Sequence, residues 1–237
     1  MNFGITAKYP RWAFGFSMAK KLLLAISVVL VVLIIVIAAF LSSQKPAETV
    51  VAGVASGNTF TYDLKSYTSV SEGNVTVPPA VPEYNRTEFY RVIVTNVSGP
   101  EVWFNNTWRF VNGTETSDAF KIDLLTAVDN PPFWAMYQSN LSLNSLLHPE
   151  GSDGLIVNET EVRTYKSGDR ETNVMTLQNQ FVDSGDPTRT YQDYLYVHFD
   201  KITGMLVELK EIQVYNDPQA VLTYEWSLTD SSVWAVS

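Results

Sequence analysis

The fold class is decided by the stretch Val102-Trp-Phe-Asn-Asn-Thr-Trp-Arg-Phe110 and by the Asn112-Gly113 pair that follows it. Even-numbered positions of the stretch are mostly apolar and odd-numbered positions mostly polar, which is the two-residue period of a half-buried strand. Asn105, which begins an Asn-x-Thr glycosylation acceptor, lies on the polar side of this pattern. Asn-Gly is the strongest short hairpin signal, so we expect the chain to return as a strand over Ala119–Leu125.

Further strands are predicted on both sides of this hairpin. Upstream, Phe60–Leu64 and Tyr90–Thr95 combine aromatic and β-branched residues as strands do. Downstream, three segments joined by short turns predict an antiparallel meander: Tyr194–Phe199, Met205–Tyr215 and Ala220–Leu228.

Two details of the meander predict its local geometry. Between its first two strands, Asp200 is expected to cap the turn and Gly204 to supply a positive φ. The apolar phase slips between Leu209 and Ile212, which predicts a β-bulge near Lys210 or Glu211. The expected fold is therefore mainly β: an antiparallel, strongly curved sheet, either a half-barrel or a sandwich.

One segment, Asn130–Leu141, breaks the strand pattern. A capping Asn precedes Pro at a first helical position, which predicts a short helix rich in aromatic residues. In one interpretation this helix plugs an end or a face of the sheet. In the other, Phe133, Trp134 and Tyr137 line the mouth of a site for an apolar ligand. By contrast, the proline-rich stretch Val77–Pro82 predicts an extended connector.

The N-terminal region contains a run, Leu22–Leu41, with no charged residue and one hydroxyl side chain. As a helix, 20 residues cover roughly 30 Å, the thickness of a bilayer core. A buried helix of a soluble protein would show polar residues every third or fourth position, and this run does not. The sequence therefore predicts one transmembrane helix.

Flanking charges predict the direction of this helix. Four basic residues precede it, whereas Ser42–Asn85 contains two, so the N-terminus is expected inside and the rest outside the cell. A cleaved signal peptide has the same polarity, but a shorter apolar run and a small-x-small site that is poorly matched here, which favours an uncleaved anchor. Translation from Met18 in place of Met1 is also open.

This topology divides the chain into four parts. They are a cytoplasmic segment over residues 1–21, the membrane helix over 22–41, a stalk over 42–54 and one extracytoplasmic β-domain over 55–237.

Composition excludes several function classes. The chain has no cysteine, and therefore no disulfide, thiolate nucleophile, lipidated cysteine or cysteine-ligated metal site. Its formal net charge is −9, and no basic run follows the anchor, which argues against nucleic-acid binding.

The predicted outer part is rich in Asn-x-Ser/Thr acceptors, which indicates N-glycosylation. The Asn-Gly-Thr and Asn-Val-Ser sequences also suit turns, which explains Asn112 and Asn96 without a sugar but does not explain the whole set. The seven acceptor asparagines are Asn74, Asn85, Asn96, Asn105, Asn112, Asn140 and Asn158.

Three segments carry a resemblance to known proteins. They are Tyr196–Glu208, which contains an aromatic–Asp-Lys-x-Thr-Gly hairpin, Phe133–Tyr137 with the Asn140-Leu141 pair, and the strand Gly57–Tyr62. In these segments the chain resembles a group of uncharacterised archaeal membrane-anchored surface proteins. The resemblance covers most of residues 55–237 and implies a cell-surface location without an activity. The hairpin is also similar to one in LolA- and RseB-type domains, which implies a curved sheet whose concave face holds acyl chains.

Candidate catalytic and metal-binding residues are few. His148 and His198 are 50 residues apart without further ligands in suitable spacing, so no metal or other cofactor is expected. His148 is expected in a loop and His198 on a sheet surface. Carboxylate pairs for glycoside hydrolysis are Asp193 with Asp200 and Glu159 with Glu161. Asp183–Thr188 is oxygen-rich but lacks the order of a calcium loop.

The sequence therefore predicts a binding module of the cell envelope and not an enzyme. Its expected partners are the membrane, through Leu22–Leu41, and a lipid, a glycan or an envelope protein. The alternative is a structural subunit of a surface layer or filament, although the membrane run lacks the early glutamate of pilins. The sequence leaves the identity of the ligand, the occupied acceptors and the oligomeric state open.

Overall fold

The computed structural model describes Val31 and residues 33–35, 50–70, 80–126, 133–183, 189–216 and 219–236. Val31 and residues 33–35 are helical, and within these described ranges no helix has the length and apolarity needed to cross a bilayer. The expected span Leu22–Leu41 lies almost wholly outside the described residues, so it stays a prediction.

From Val50 onward, the described residues form nine strands and one short helix, α1. Their bounds are β1 Thr59–Val70, α1 Ala80–Tyr84, β2 Thr87–Ser98, β3 Glu101–Phe110, β4 Glu115–Asp123, β5 Glu159–Tyr165, β6 Gly168–Val182, β7 Thr190–Asp200, β8 Leu206–Asn216 and β9 Gln219–Ser231. The strands form one open antiparallel sheet in the order β4-β3-β2-β1-β9-β8-β7-β6-β5. The prediction of a mainly β, antiparallel fold is confirmed.

Both predicted hairpin regions are present. Gly113 has a φ of 86°, and its N–H donates to the Phe110 carbonyl at 2.8 Å, which closes the β3–β4 turn. The predicted meander corresponds to β7, β8 and β9, which pair in sequence. The sheet is joined across its centre by β1 and β9, whose pairing runs from Phe60 opposite Ser231 to Val70 opposite Ala220.

Strand alternation gives the sheet two faces. The inner face, defined by Tyr62, Val92, Phe104, Met175 and Leu209, supplies most of the core. The outer face carries the intervening side chains, which are largely polar.

The segment 133–157 covers one end of the inner face. The Phe133 ring lies 5.6 Å from the Tyr62 ring, and the Tyr137 ring lies 4.5 Å from the Phe199 ring. The Asn173 side-chain amide, from β6, donates to the Leu141 carbonyl at 2.9 Å. These contacts bury large aromatic and aliphatic groups and bind the segment to the sheet.

The prediction of a helix near Phe133 is wrong for the described residues 133–141. Met136 instead forms an isolated antiparallel bridge with Met205. The Tyr137 N–H donates to the Gly204 carbonyl at 3.0 Å, and the Leu206 N–H donates to the Ala135 carbonyl at 3.1 Å. The β7–β8 turn thus satisfies backbone groups that a helix would have paired internally, and tertiary pairing overrides local preference.

The short helix of this fold is α1, in a region where the sequence predicted an extended connector. Ala80–Pro82, the described part of Val77–Pro82, forms its beginning, so the connector prediction is wrong there. Proline is tolerated at this point because the first N–H groups of a helix have no partner within it.

The bulge predicted near Lys210 or Glu211 is also misplaced. The pairing of β8 with β9 continues without a shift through both residues. The register shifts instead between His198 and Phe199 of β7, opposite Val207, so that Leu206 and Val207 are both buried. The Leu209–Ile212 slip in the sequence reflects a polar stretch of the inner face, where Glu211 takes the position that an apolar residue was expected to hold.

The second of the two units into which the chain divides is Val50–Ser237. Val54 is buried in its core, and the Ser139 N–H donates to the Val51 carbonyl at 3.0 Å. The last five residues of the expected stalk are therefore packed on the β-domain.

Candidate functional site

A patch of tyrosines and carboxylates lies on the inner face, at the opposite ends of β7 and β8 from the turn that segment 133–157 contacts. Strands β7, β8 and β9 supply it with side chains at alternate positions, and α1 adds one ring. We call this the tyrosine–carboxylate patch, and its members are Tyr84, Tyr191, Asp193, Glu211, Gln213, Tyr215 and Tyr224.

Strand register brings the two carboxylates together. Asp193 lies opposite Gln213, and Glu211, two positions earlier on β8, is its diagonal neighbour. Residues at i and j±2 across an antiparallel pair share a face and lie within reach of long side chains. Gln213 donates from Nε2 to Glu211 Oε1 at 2.6 Å, which holds the Glu211 carboxylate in the plane of the patch.

Burial and the neighbouring Glu211 carboxylate perturb the Asp193 carboxyl group. Burial, followed by the charge of Glu211 and a hydrogen bond to it, raises the pKa of Asp193 to about 6. Asp193 Oδ1 is shielded from solvent and has no hydrogen-bond donor among the described residues. Asp193 therefore holds a proton in mildly acidic solution and releases it near neutral pH.

The tyrosine rings enclose this pair. Tyr191 stacks on Tyr215 with ring centroids 4.8 Å apart, and Tyr84 meets Tyr224 edge-on at 5.4 Å. Burial, and then the charge of Glu211, raises the pKa of Tyr224 to about 12. Burial is also the main cause that raises the pKa of Tyr215 to about 12. The phenols stay protonated and act as hydrogen-bond donors, as Tyr215 does to Gln213 Oε1 at 3.2 Å.

A cation of the protein itself lies at the rim of the patch. The Arg189 guanidinium lies over the Tyr215 ring, 4.3 Å from its centroid, and 3.6 Å from Asp183 Oδ2. Arg189 thus shields one side of the tyrosine pair and is itself paired with a carboxylate.

An apolar depression adjoins the patch through Trp226, whose Nε1 donates to the Tyr84 hydroxyl at 3.2 Å. The depression holds about 20 Å³, the room of a single water. It is lined by Phe133, Trp134, Ala135, Leu206, Leu209 and Trp226.

The structure separates the three residues predicted to bind an apolar ligand. Phe133 is 2% exposed, Tyr137 is fully buried against Phe199, and Trp134 is 39% exposed. Phe133 and Trp134 meet at the small depression, whereas Tyr137 does not reach it. This arrangement favours the plug interpretation of the segment.

The structure separates Asp193 from Asp200 and pairs Glu161 with an arginine. Asp200 is buried and accepts hydrogen bonds from Arg170 Nε and Nη2 at 2.7 and 3.0 Å, and it lies an odd number of positions from Asp193 on the same strand. Glu161 accepts from Arg163 Nε at 2.6 Å, and Glu159 is exposed on the same strand.

The histidines lie where the sequence placed them. His148 lies in a loop, 2.6 Å from Asp153 Oδ2. His198 lies on β7, and its Nδ1 is 2.8 Å from Arg163 Nη2 and 3.0 Å from Glu161 Oε1. In the part of the chain that the structure describes, no three histidine, aspartate or glutamate side chains group as metal ligands do.

Six of the seven acceptor asparagines lie among the described residues, and all six are exposed. Asn74 lies outside the described residues. Asn96 and Asn105 extend from the outer face of β2 and β3. Asn85 differs, because its Oδ1 accepts from the Ser66 N–H at 3.0 Å and its Nδ2 donates to the Ser66 carbonyl at 2.9 Å.

Sequence reasoning missed the tyrosine–carboxylate patch. One signal in the sequence pointed to the patch. On β7, Tyr191 and Asp193 occupy alternate positions, and on β8 Glu211, Gln213 and Tyr215 do so. The remaining inner-face positions of both strands are apolar. Rings with carboxylates and neutral phenols suit a ligand with an apolar surface and several polar hydrogens.

Comparison of the chain with protein-family models, curated proteins and solved structures gave no significant match to any of them.

Proposed function

We propose that this chain is a membrane-anchored, N-glycosylated binding module of the cell envelope, with its β-domain outside the cell. The ligand contacts the inner face of the sheet at the tyrosine–carboxylate patch. The single observation that carries the binding role is the contact between the half-buried carboxyl groups of Asp193 and Glu211, which together with burial raises the pKa of Asp193. Such a costly arrangement is typical of functional sites.

The location rests on the apolar run Leu22–Leu41, the basic residues before it and the acceptor asparagines after it. The exposure of all six described acceptor asparagines supports this topology, since an oligosaccharide needs solvent. The resemblance to archaeal surface proteins agrees with it.

A strongly curved sheet, of half-barrel form, belongs to the proposal. The Trp234 ring lies 5.9 Å from the Phe60 ring of β1 and 6.2 Å from the Tyr165 ring of β5. Four strands separate β1 from β5 in the sheet order, which in a flat sheet corresponds to roughly 24 Å. Contact of both with one indole supports a sheet that curls around its inner face.

Among lipid, glycan and envelope protein, the patch favours a glycan. Sugar rings offer apolar C–H faces to Tyr191 or Trp226, and their hydroxyls donate to carboxylates such as Asp193 and Glu211. The apolar depression of about 20 Å³ is too small for an acyl chain, which makes a lipid a weaker candidate for this surface.

A binding role suits the carboxyl pair better than glycoside hydrolysis does. Catalytic carboxylates of glycosidases stand roughly 5 to 9.5 Å apart so that the scissile bond fits between them. Asp193 and Glu211 are instead in hydrogen-bonding contact, which leaves no room for a sugar linkage between them.

The structural-subunit alternative draws on the two edge strands of the open sheet, β4 and β5. Unpaired edges are able to add a strand from a neighbouring molecule. Both edges carry more acidic than basic residues, three against one in β4 and two against one in β5. Their like charge disfavours edge-to-edge assembly.

Native mass spectrometry of the detergent-extracted full chain tests the binding role. We expect a bound saccharide in the wild type, lost in Asp193→Asn and Glu211→Gln and retained in Glu225→Gln, whose carboxylate pairs with Lys210 on the outer face. Ligand-free monomers of the wild type would contradict a tightly held ligand, and large regular oligomers would favour the structural subunit.

A further inference from the structure

The β3–β4 turn places one acceptor asparagine beside a groove. Asn112 lies at the turn and is exposed, and a groove of about 200 Å³ opens next to it. The groove is lined by Glu83, Arg86, Phe110, Val111, Asn112 and Thr114. Its volume is of the order of one monosaccharide.

Hydrogen bonds within the turn use only one polar atom of the Asn112 side chain. Its Oδ1 accepts from the Thr114 hydroxyl at 2.7 Å and from the Thr114 N–H at 3.0 Å. Both bonds use the side-chain oxygen, so the Nδ2 that carries a sugar is left without a partner among the described residues. Asn85 presents the opposite case, since its Nδ2 donates to the Ser66 carbonyl.

The groove also has the chemistry of a sugar site. Phe110 is half-buried and Val111 is 65% exposed, so both offer apolar surface that a sugar ring would remove from water. The Glu83 carboxylate and the Arg86 guanidinium lie at the polar side of the groove. Arg86 Nε donates to the Pro82 carbonyl at 3.1 Å. Phe110 and Thr114 pair across the turn, where the Phe110 N–H donates to the Thr114 carbonyl at 2.9 Å.

We infer that Asn112 is N-glycosylated and that the first sugar of its glycan, a hexose or N-acetylhexosamine, packs on Phe110 in this groove. The glycan is thereby a structural part of the β3–β4 hairpin. The inference rests on the extracytoplasmic location proposed above, and it goes beyond that location by selecting one acceptor and naming the surface that holds its sugar.

Glycopeptide mapping of the full chain from its native membrane is the first test. We expect Asn112 to be occupied. An empty Asn112 beside occupied Asn96 or Asn105 would overturn this inference alone. Seven empty acceptors would overturn the inference and the proposed extracytoplasmic location together.

The second test asks whether the sugar on Asn112 packs in the groove or is only attached to the chain. Two full-length chains, one keeping only the Asn112 acceptor and one keeping only Asn105, are made in a glycosylating host and trimmed to a single N-acetylglucosamine. Matched sugar-free samples come from a host without N-glycosylation. We expect the sugar to raise Tm by about 2 to 4 °C at Asn112 and to leave Tm unchanged at Asn105, which is exposed on the outer face of β3.

The variant Phe110→Leu, made with and without the sugar, completes a double-mutant cycle. Phe110 also packs on Trp108 at a ring distance of 4.9 Å, and the sugar-free sample accounts for that loss. We expect the sugar-dependent rise in Tm to disappear in Phe110→Leu. An equal rise with leucine, or an equal rise at Asn105, would overturn the packing.

Discussion

The carboxyl group of Asp193 is in hydrogen-bonding contact with that of Glu211, on neighbouring strands of the inner face. Because burial and this contact disfavour the charged form of Asp193, its pKa is higher in the folded protein than in the unfolded chain. The consequence for stability follows from the linkage between proton binding and folding.

We expect the contribution of Asp193 to the free energy of unfolding to fall as pH rises from about 4 to about 6, since the folded state then binds the proton that the unfolded state has released. Asp193→Asn removes this fall, and because solvent screens a half-buried carboxyl group we expect this variant to be more stable than the wild type at pH 7 by only about 1 kcal/mol, and similar at pH 4. Urea unfolding at both pH values measures it, with Glu225→Gln as the control. The same difference in free energy of unfolding between the wild type and Asp193→Asn at both pH values would contradict this explanation.

The Tyr137 hydroxyl gives a second prediction, because it is buried without a hydrogen-bond partner among the described residues. Tyr137→Phe removes an unsatisfied polar group, so we expect stabilisation of about 1 kcal/mol. Tyr62→Phe is the matched control, since the Tyr62 hydroxyl donates to the Leu206 carbonyl at 3.1 Å and its loss is expected to destabilise by about 1 kcal/mol. Thermal unfolding of both variants measures the difference. Destabilisation by Tyr137→Phe would mean that the Tyr137 hydroxyl does have a hydrogen-bond partner.

Gly204 makes the closest approach in the β7–β8 turn. It has a φ of 73°, and a Cβ there would lie 1.9 Å from the Tyr137 carbonyl oxygen. We expect Gly204→Ala to lower the free energy of unfolding by about 3 kcal/mol or more, because both strain and a backbone clash result. Gly57→Ala has a similar φ of 90° but open space, and about 1 kcal/mol is expected. Equal losses in chemical unfolding would mean that segment 133–157 is not packed on the turn as described.

Asn85 supplies a prediction about glycan occupancy. Both polar atoms of its amide are bound to the Ser66 backbone, so a sugar on Nδ2 would compete with the attachment of the α1–β2 region to β1. We expect Asn85 to be unmodified in folded protein, unlike Asn105 on the outer face. Glycopeptide mapping measures both sites, and full occupancy of Asn85 would contradict its structural role.

Much of the fold could be predicted from the sequence where the structure depends on residues that are close together in the chain. Alternation identified β3 and the β7–β9 meander, and Asn112-Gly113 identified the first hairpin. Asp200 and Gly204 act in their turn as expected, since the Thr203 N–H donates to Asp200 Oδ1 at 2.8 Å and Gly204 has a positive φ.

The predictions failed where contacts between segments distant in the chain determine the structure. Asn130 and Pro131 supply a helix-start signal, but the following Phe133–Tyr137 pairs with the turn near Met205, about 70 residues away. The Asp193–Glu211 contact depends on strand register and on a bulge opposite Val207, and neither leaves a clear mark in the sequence. For the same reason the sequence suggests a carboxylate pair of Asp193 and Asp200, which share a strand but not a face.

The most direct test of the central claim is protease treatment of intact cells that produce the full chain. The account predicts release of the β-domain by cleavage between Leu41 and Val50, because Val54 and the Val51 carbonyl are packed on the domain. The released fragment should begin within residues 42–50 and carry glycans. Protection of the domain until the cells are lysed would contradict the extracytoplasmic orientation.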